Sequence, residues 1–222
     1  MTPLRLVVFD VDGTLVDSQA LILAAMDAAW AGIGRPVPDR DAVLGIVGLS
    51  LPRAMEALAP DLPAAERATL VAGYRAAFRR LAGDVAALSP LYPGVAEVLA
   101  AMRAAPEPLI GIATGKSRQA LATVLAAHGL GDAFVTVQVA DDHPSKPASG
   151  MLLAALAETG VAPADAVMVG DSVHDMEMAR NAGVPVLGVG WGYHRPAALR
   201  AAGATAVIDD IAALPPALEA VW

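Results

Sequence analysis

Six short runs of aliphatic and β-branched residues recur along the chain, at 4–9, 109–113, 134–137, 166–169, 184–189 and 205–208. They are apolar at nearly every position instead of every second one, which is the pattern of strands buried on both faces. Helical stretches separate the later runs, at 94–104, 117–128, 149–158, 174–181 and 196–201. This alternation predicts an α/β architecture, a parallel sheet with helices on both faces. Right-handed crossovers between parallel strands make the sheet doubly wound.

The alternation fails between residues 18 and 87. No strand-like run occurs there, and helical periodicity dominates at 21–31, 51–58 and 64–81, punctuated by Pro36, Pro38, Pro52, Pro60 and Pro63. The segment reads as an all-helical insertion, 18–87, within a core made of 1–17 and 88–222. "LSPLYPGV", with Pro90 and Pro93, is the expected return hinge. In open parallel sheets ligands bind at the carboxyl ends of the strands. Asp10, Thr114 and Asp171 each follow a predicted strand. If those strands are neighbours, the three converge on one edge.

Composition narrows the chemistry. With 56% hydrophobic and only 4% aromatic residues, the core is built from small aliphatics. A net charge of −8 argues against a nucleic-acid partner, which needs a basic face. An anionic ligand must then be held by a few local donors. Absence of cysteine excludes disulfides, thiolate chemistry and cysteine zinc sites. The first apolar run is interrupted by Arg5 and Asp10, unlike a signal peptide, and no stretch approaches a membrane span. A soluble cytoplasmic protein without a membrane partner is expected. Thirteen of the 15 basic residues are Arg, so the two lysines, Lys116 and Lys146, depart from the chain's own habit.

"LRLVVFDVDGTLVDS" plants Asp10 and Asp12 directly after a buried strand. Two carboxylates so close repel each other and lose hydration unless a cation compensates. Asp10, fixed by the strand, suits a nucleophile that attacks phosphorus and forms an aspartyl phosphate. Asp12, one step into the loop, suits proton transfer to the leaving alkoxide and from the attacking water. Gly13 lets the backbone turn so that the Val11 and Asp12 amides can face a phosphate oxygen. "GDSVHD" adds Asp171 and Asp175 at a strand-to-helix junction, where Ser172 also reads as a helix cap. Mg²⁺ takes oxygen ligands, so Asp10, Asp171 and the Asp12 carbonyl are its expected set. Phosphoryl oxygens fall to Thr114, the Gly115 backbone and Lys146, with Lys116 behind them or at the rim. His128, His143, His174 and His194 show no metal spacing and read as structural or rim residues, while Met168, Met176 and Met178 read as core.

Taken together, "FDVDGTLVDS", "IATGK", Lys146 with Pro147, and "GDSVHD" resemble the four motifs of the haloacid dehalogenase superfamily of phosphohydrolases. The resemblance covers essentially the whole chain and implies a Rossmann-like core with the helical insertion as a mobile cap. "GDSVHDMEMARNAGVPVLGVGWGY" and "GLSLPRAMEAL" are similar to the phosphoglycolate phosphatase branch. Ser149 stands where the third motif usually has a second proline. The dehalogenases lack the equivalent of Asp12, so its presence favours phosphate chemistry. No lysine precedes residue 116, which excludes the Schiff-base chemistry of the phosphonate-cleaving relatives. The implied activity is a Mg²⁺-dependent phosphomonoesterase acting on a small phosphorylated metabolite, 2-phosphoglycolate first, with Ser50 and Arg53 in the cap as substrate contacts. The alternatives are a β-phosphoglucomutase-type sugar-phosphate mutase and a receiver-like or catalytically silent phosphate-binding module.

Overall fold

The computed structural model describes residues 4–222. Six parallel strands form one sheet: β1 (Leu6–Phe9), β2 (Leu109–Thr114), β3 (Thr136–Val139), β4 (Ala166–Gly170), β5 (Val186–Val189) and β6 (Ala206–Ile208). Their spatial order is β3-β2-β1-β4-β5-β6. The chain runs outward from β1 in one direction through β2 and β3, then returns to the other side for β4. The crevice between β1 and β4 is therefore the topological switch point where such sheets bind ligands.

Strand alternation sorts the side chains into two cores. Val7 and Phe9 face one way with Ile110, Ile112, Val167 and Val169. That face is covered by α6 (Val95–Ala104), α7 (Arg118–Ala127) and α11 (Leu214–Val221). Leu6, Val8, Ala166 and Met168 face the other way, against α8 (Gly150–Thr159), α9 (Val173–Ala182) and α10 (Pro196–Ala202). All four residues of β1 are fully buried, so this strand is the rigid spine from which Asp10 projects. Emptying its largest side chain, Phe9, would cost about 3–5 kcal/mol.

The insertion between β1 and β2 is helical throughout: α1 (Gln19–Ala31), α2 (Arg40–Gly45), α3 (Leu51–Leu58), α4 (Ala64–Leu81) and α5 (Val85–Leu88). It has its own apolar cluster, centred on Met26, Trp30, Val43, Met55 and Leu70. Phe78 and Val85, near its return, pack instead with the sheet. The outgoing and returning chains run side by side: Asp17 N donates to Pro90 O at 2.8 Å and Tyr92 N to Leu15 O at 3.0 Å. Ser18 and Ser89, both buried, share a hydroxyl hydrogen bond of 2.7 Å across the two crossings.

Three helices escaped the periodicity. α2 and α5 are too short to show it, and α11 opens on Pro215 and Pro216, residues compatible with a first turn and not with an interior. β3 begins two residues later than the apolar run 134–137. Its register sets Val137 beside Ile112 and brings the polar Gln138 into the buried strand, while Val135 is left 58% exposed. A buried glutamine defeats hydrophobic counting because its amide is satisfied locally: it donates to Thr136 Oγ1 at 2.9 Å and shares a 2.7 Å contact with His143 Nε2.

Candidate active site

Asp10 extends the ladder past the end of β1, its N–H donating to Val169 O at 2.9 Å. Asp171 follows the adjacent β4, and Thr114 ends β2 on the other flank. The loop after Asp10 curls tightly, with Thr14, Leu15 and Val16 all donating to Val11 O. The Val11 and Asp12 amides take no part in those bonds. Gly13 has φ +79°, and a Cβ there would lie 2.2 Å from Asp171 Oδ2, so conformation and space both demand glycine. Asp171 is clamped from the far side as well. Its carboxylate accepts from Thr14 Oγ1 at 3.2 Å and from Tyr193 N at 2.8 Å. A Cβ on Gly192 would meet Asp171 Cβ at 2.2 Å.

Lys146 reaches in from the loop before α8 and is 1% exposed. Its Nζ lies 3.0 Å from Asp10 Oδ1 and 2.6 Å from Asp175 Oδ1. The other oxygen of Asp175 accepts from Ser172 Oγ at 2.6 Å and from Ser172 N at 3.1 Å, closing a capping box at the start of α9. Ser172 is thus both cap and anchor. Lys116, expected behind the site or at its rim, is buried and pairs with Asp12 Oδ1 at 2.8 Å. Phe78 of α4 lies 5.6 Å from that ammonium, within cation–π range.

Four buried carboxyl groups (Asp10, Asp12, Asp171, Asp175) face two lysines, so the fully ionised cluster would carry two uncompensated negative charges. Asp10, Asp171 and Asp175 place one oxygen each within 4.8 Å of one another. Asp10 Oδ2 is buried without a hydrogen-bond partner. Oxygen donors, an excess charge of −2 when ionised and an orphaned carboxylate oxygen fit a hard divalent cation. Asp175 joins this cluster, although the expected metal ligands were Asp10, Asp171 and the Asp12 carbonyl. Its oxygens are engaged by Lys146 and Ser172, and those of Asp171 by Thr14 and Tyr193, so Asp10 Oδ2 is the one oxygen of the three carboxylates with neither a hydrogen bond nor an ion pair.

Burial raises the Asp10 carboxyl to about 7, against the opposing pull of Lys146 and with added repulsion from Asp175 and Asp12. Asp171 is raised well above its ordinary value by burial and by the Asp175 and Asp10 charges, which the Tyr193 and Thr14 hydrogen bonds offset only in part. Burial opposes the charge on Lys146, but Asp10 and Asp175 outweigh it and hold the ammonium protonated. Carboxyls raised on folding bind more protons folded than unfolded, so stability falls as pH climbs from near 4 to about 7. Burial lowers His174 and His194, which opposes this trend in part; metal-free protein should still melt higher at pH 5.5 than at pH 8, and Mg²⁺ should flatten that slope. Thermal scans in chelator check this; a metal-free melting point that rises with pH over this range would refute it.

Between cap and core lies a cavity of about 690 Å³ that includes Asp10, Asp12, Thr114 and Lys116 in its wall. Ser50 contributes from the cap, its N–H donating to Ser145 Oγ at 2.8 Å, one residue before Lys146. Gly115 sits under the same cap loop, where a Cβ would come within 2.5 Å of both Gly48 O and Leu49 O. Arg53 does not face the cavity. It lies on the outer side of α3, its side chain 67% exposed and paired with Glu56 at 2.5 Å. The cap cations that do line the cavity are Arg75 and Arg79 of α4, which the sequence reading missed. A signal existed: 75, 78 and 79 share one helical face, so a Phe expected to turn inward carries two arginines with it. The clamp on Asp171 was also missed, though Gly192, next to Trp191, marks the close approach. The histidines hold loops: His143 through Gln138, His128 through Ser89 O, and His194 through Gly45 O of the cap. Among the described residues no helix is long and apolar enough to cross a membrane.

Residues 4–183 match the haloacid dehalogenase-like hydrolase family. The chain is 37% identical over 209 residues to "Probable phosphatase IndB" of Dickeya dadantii, covering 92% of this chain and 89% of that one. It is 34% identical over 215 residues to "Phosphoglycolate phosphatase, plasmid" of Cupriavidus necator, covering 96% and 92%. A solved hydrolase structure from Pseudomonas syringae superposes with a TM-score of 0.85 over 98% of both chains at 24% identity, a likeness of fold.

Proposed function

The chain belongs to the haloacid dehalogenase-like hydrolases and is a phosphatase like its relatives; on that premise we propose that it hydrolyses a small phosphomonoester through an aspartyl phosphate on Asp10. Among substrates, 2-phosphoglycolate is the first choice, since phosphatases named for that substrate match at 32% and 34% identity over nearly the full chain. The observation that carries the reading is the buried pair Asp10–Lys146 at the switch point, set in a cluster that, fully ionised, has two negative charges to spare.

The residues divide the work as follows. Asp10 Oδ1, the oxygen beside Lys146, forms a bond to phosphorus while the ester P–O bond breaks, which leaves Oδ2 to the cation. Asp12 supplies the proton that the departing alkoxide oxygen needs. In the second half Asp12, now a carboxylate, takes a proton from water. That water's oxygen bonds to phosphorus, the P–O bond to Asp10 breaks, and inorganic phosphate leaves. Lys146, Thr114 and the Val11 and Asp12 amides hold the phosphoryl oxygens throughout, as preorganised donors that need no reorganisation during the reaction. Lys116 fixes the Asp12 side chain at the cavity wall. A Mg²⁺ held by Asp10, Asp171 and the Asp12 carbonyl would neutralise the charge that otherwise keeps an anionic substrate from an anionic nucleophile.

The cap closes the cavity from above, and the paired crossings at 16–18 and 89–92 are the hinge on which 18–87 would move. Closure shuts out bulk water and strengthens the electrostatics inside. The test is turnover of a panel of phosphomonoesters with Mg²⁺. Chelation should remove activity by more than ~10²-fold, Mg²⁺ should restore it, and Ca²⁺ should not, because its larger and looser shell misplaces the nucleophile. Full activity after exhaustive chelation would refute the metal role.

A further inference from the structure

We propose that Arg75 and Arg79 form a subsite for a second anionic group on the substrate, so that the enzyme selects phosphomonoesters that carry a second anion over those that do not. The inference rests on the phosphatase reading and adds to it the chemical class of the substrate.

The argument begins with where the cap's positive charge goes. Arg35, Arg40 and Arg53 pair with Glu66, Asp41 and Glu56, and Arg67 donates to the carbonyls of Pro60 and Leu62. Arg75, Arg79 and Arg80, all exposed, have no such partner among the described residues, and of the three Arg75 and Arg79 line the cavity that holds Asp10. They are four apart on α4, hence neighbours on one helical face. Phe78 shares that face and fixes its distance from the chemistry, since its ring lies 5.6 Å from the Lys116 ammonium that pairs with Asp12. One helical turn separates the two arginines, about 5.4 Å along the axis. A substrate with its phosphoryl group at Asp10 would thus share its cavity with two unpaired arginines in the cap wall.

The rest of the wall says what lies between. Ile22, Met26, Ile46 and Leu51 give the cap side of the cavity an apolar lining. Ser50 and Tyr74 are the cap's uncharged polar groups in that wall, so recognition of a second anion falls to the two arginines, the cap's cations there. Guanidinium forks match both carboxylate and phosphate oxygens bidentately. The cavity volume of about 690 Å³ also lies in the range that suits ligands well beyond a two-carbon acid.

The experiment measures kcat/KM of the Mg²⁺-loaded full-length enzyme for four esters. Two carry a second anion, 2-phosphoglycolate (carboxylate) and glucose 1,6-bisphosphate (phosphate). Two do not, glycerol 3-phosphate and p-nitrophenyl phosphate. Wild type should favour at least one doubly anionic ester over glycerol 3-phosphate, and which one identifies the second anion. In Arg75→Met/Arg79→Met that preference should shrink by about 10–100-fold, the worth of a hydrogen bond to a charged group, and mainly through KM. Arg79→Lys should keep part of it, while Arg53→Met and Arg80→Met, which lie outside the cavity, should keep all of it. A preference unchanged in the double variant, or absent from wild type, would overturn the subsite while p-nitrophenyl phosphate turnover leaves the phosphatase reading standing. Wild-type enzyme inert toward all four esters would overturn both.

Discussion

Replacing Asp10 by Asn is expected to lower kcat by at least ~10⁴-fold and to leave the fold intact. The size of the loss follows from the role: without a nucleophile no covalent path remains, and single removals of such groups cost as much as removing the whole machinery. The amide is a poor nucleophile and a weaker metal ligand of nearly the same shape. Stability should hold for a specific reason. The carboxylate is 1% exposed and repelled by Asp12 and Asp175, while Lys146 keeps its 2.6 Å partner Asp175 when Asp10 becomes neutral. The metal-free Asp10→Asn variant should therefore melt at or above the wild-type temperature at pH 8. Steady-state kinetics and a thermal scan on one preparation decide it. Near wild-type kcat would end the aspartyl-phosphate reading, whereas a large fall in melting temperature would instead show that Asp10 helps hold the structure.

Lys146→Ala is expected to hurt twice. Its ammonium is the only cation touching Asp10 and Asp175 among the described residues. Truncation leaves their charges buried and unpaired, which costs about 3–5 kcal/mol. Loss of a preorganised donor to the phosphoryl oxygens should lower kcat by a further ~10²–10³-fold. Lys146→Arg should rescue little, because a planar fork cannot replace a point charge between two carboxylates in a closed loop. Lys116→Ala should be milder in both respects. It has a single carboxylate partner, Asp12, on a cavity wall that water can reach. Denaturant midpoints separate the structural loss from the catalytic one. A greater fall in kcat at Lys116 than at Lys146 would move the phosphate-binding cation to the loop after Thr114.

The chain's order of elements was legible because it rests on local physics. Uniformly apolar runs such as "LVVF" have nowhere to go but a strand covered on both faces, and successive parallel strands need helical crossovers. The acids of the site were legible for a related reason: carboxylates placed directly after a buried strand lose hydration that a site must replace, so Asp10, Asp12 and Asp171 stood out against the pattern. Lys146 stood out by scarcity. By itself, then, the sequence determined the alternation of strands and helices, the helical insertion and the residues that carry charge into the interior. It did not determine partners. That Lys146 bridges Asp10 and Asp175 while Lys116 takes Asp12 depends on chain segments up to 136 residues apart in sequence meeting at one switch point. The cap side of the cavity was decided later still. Arg53 and Arg75 are equally plausible as residue types, and only the packing of α4 on α1 and α3, with Phe78 drawn to the core, leaves one outside the cavity and sets the other in its wall. Local periodicity fixes which face of a helix is buried, but what that face is buried against is a property of the assembled chain.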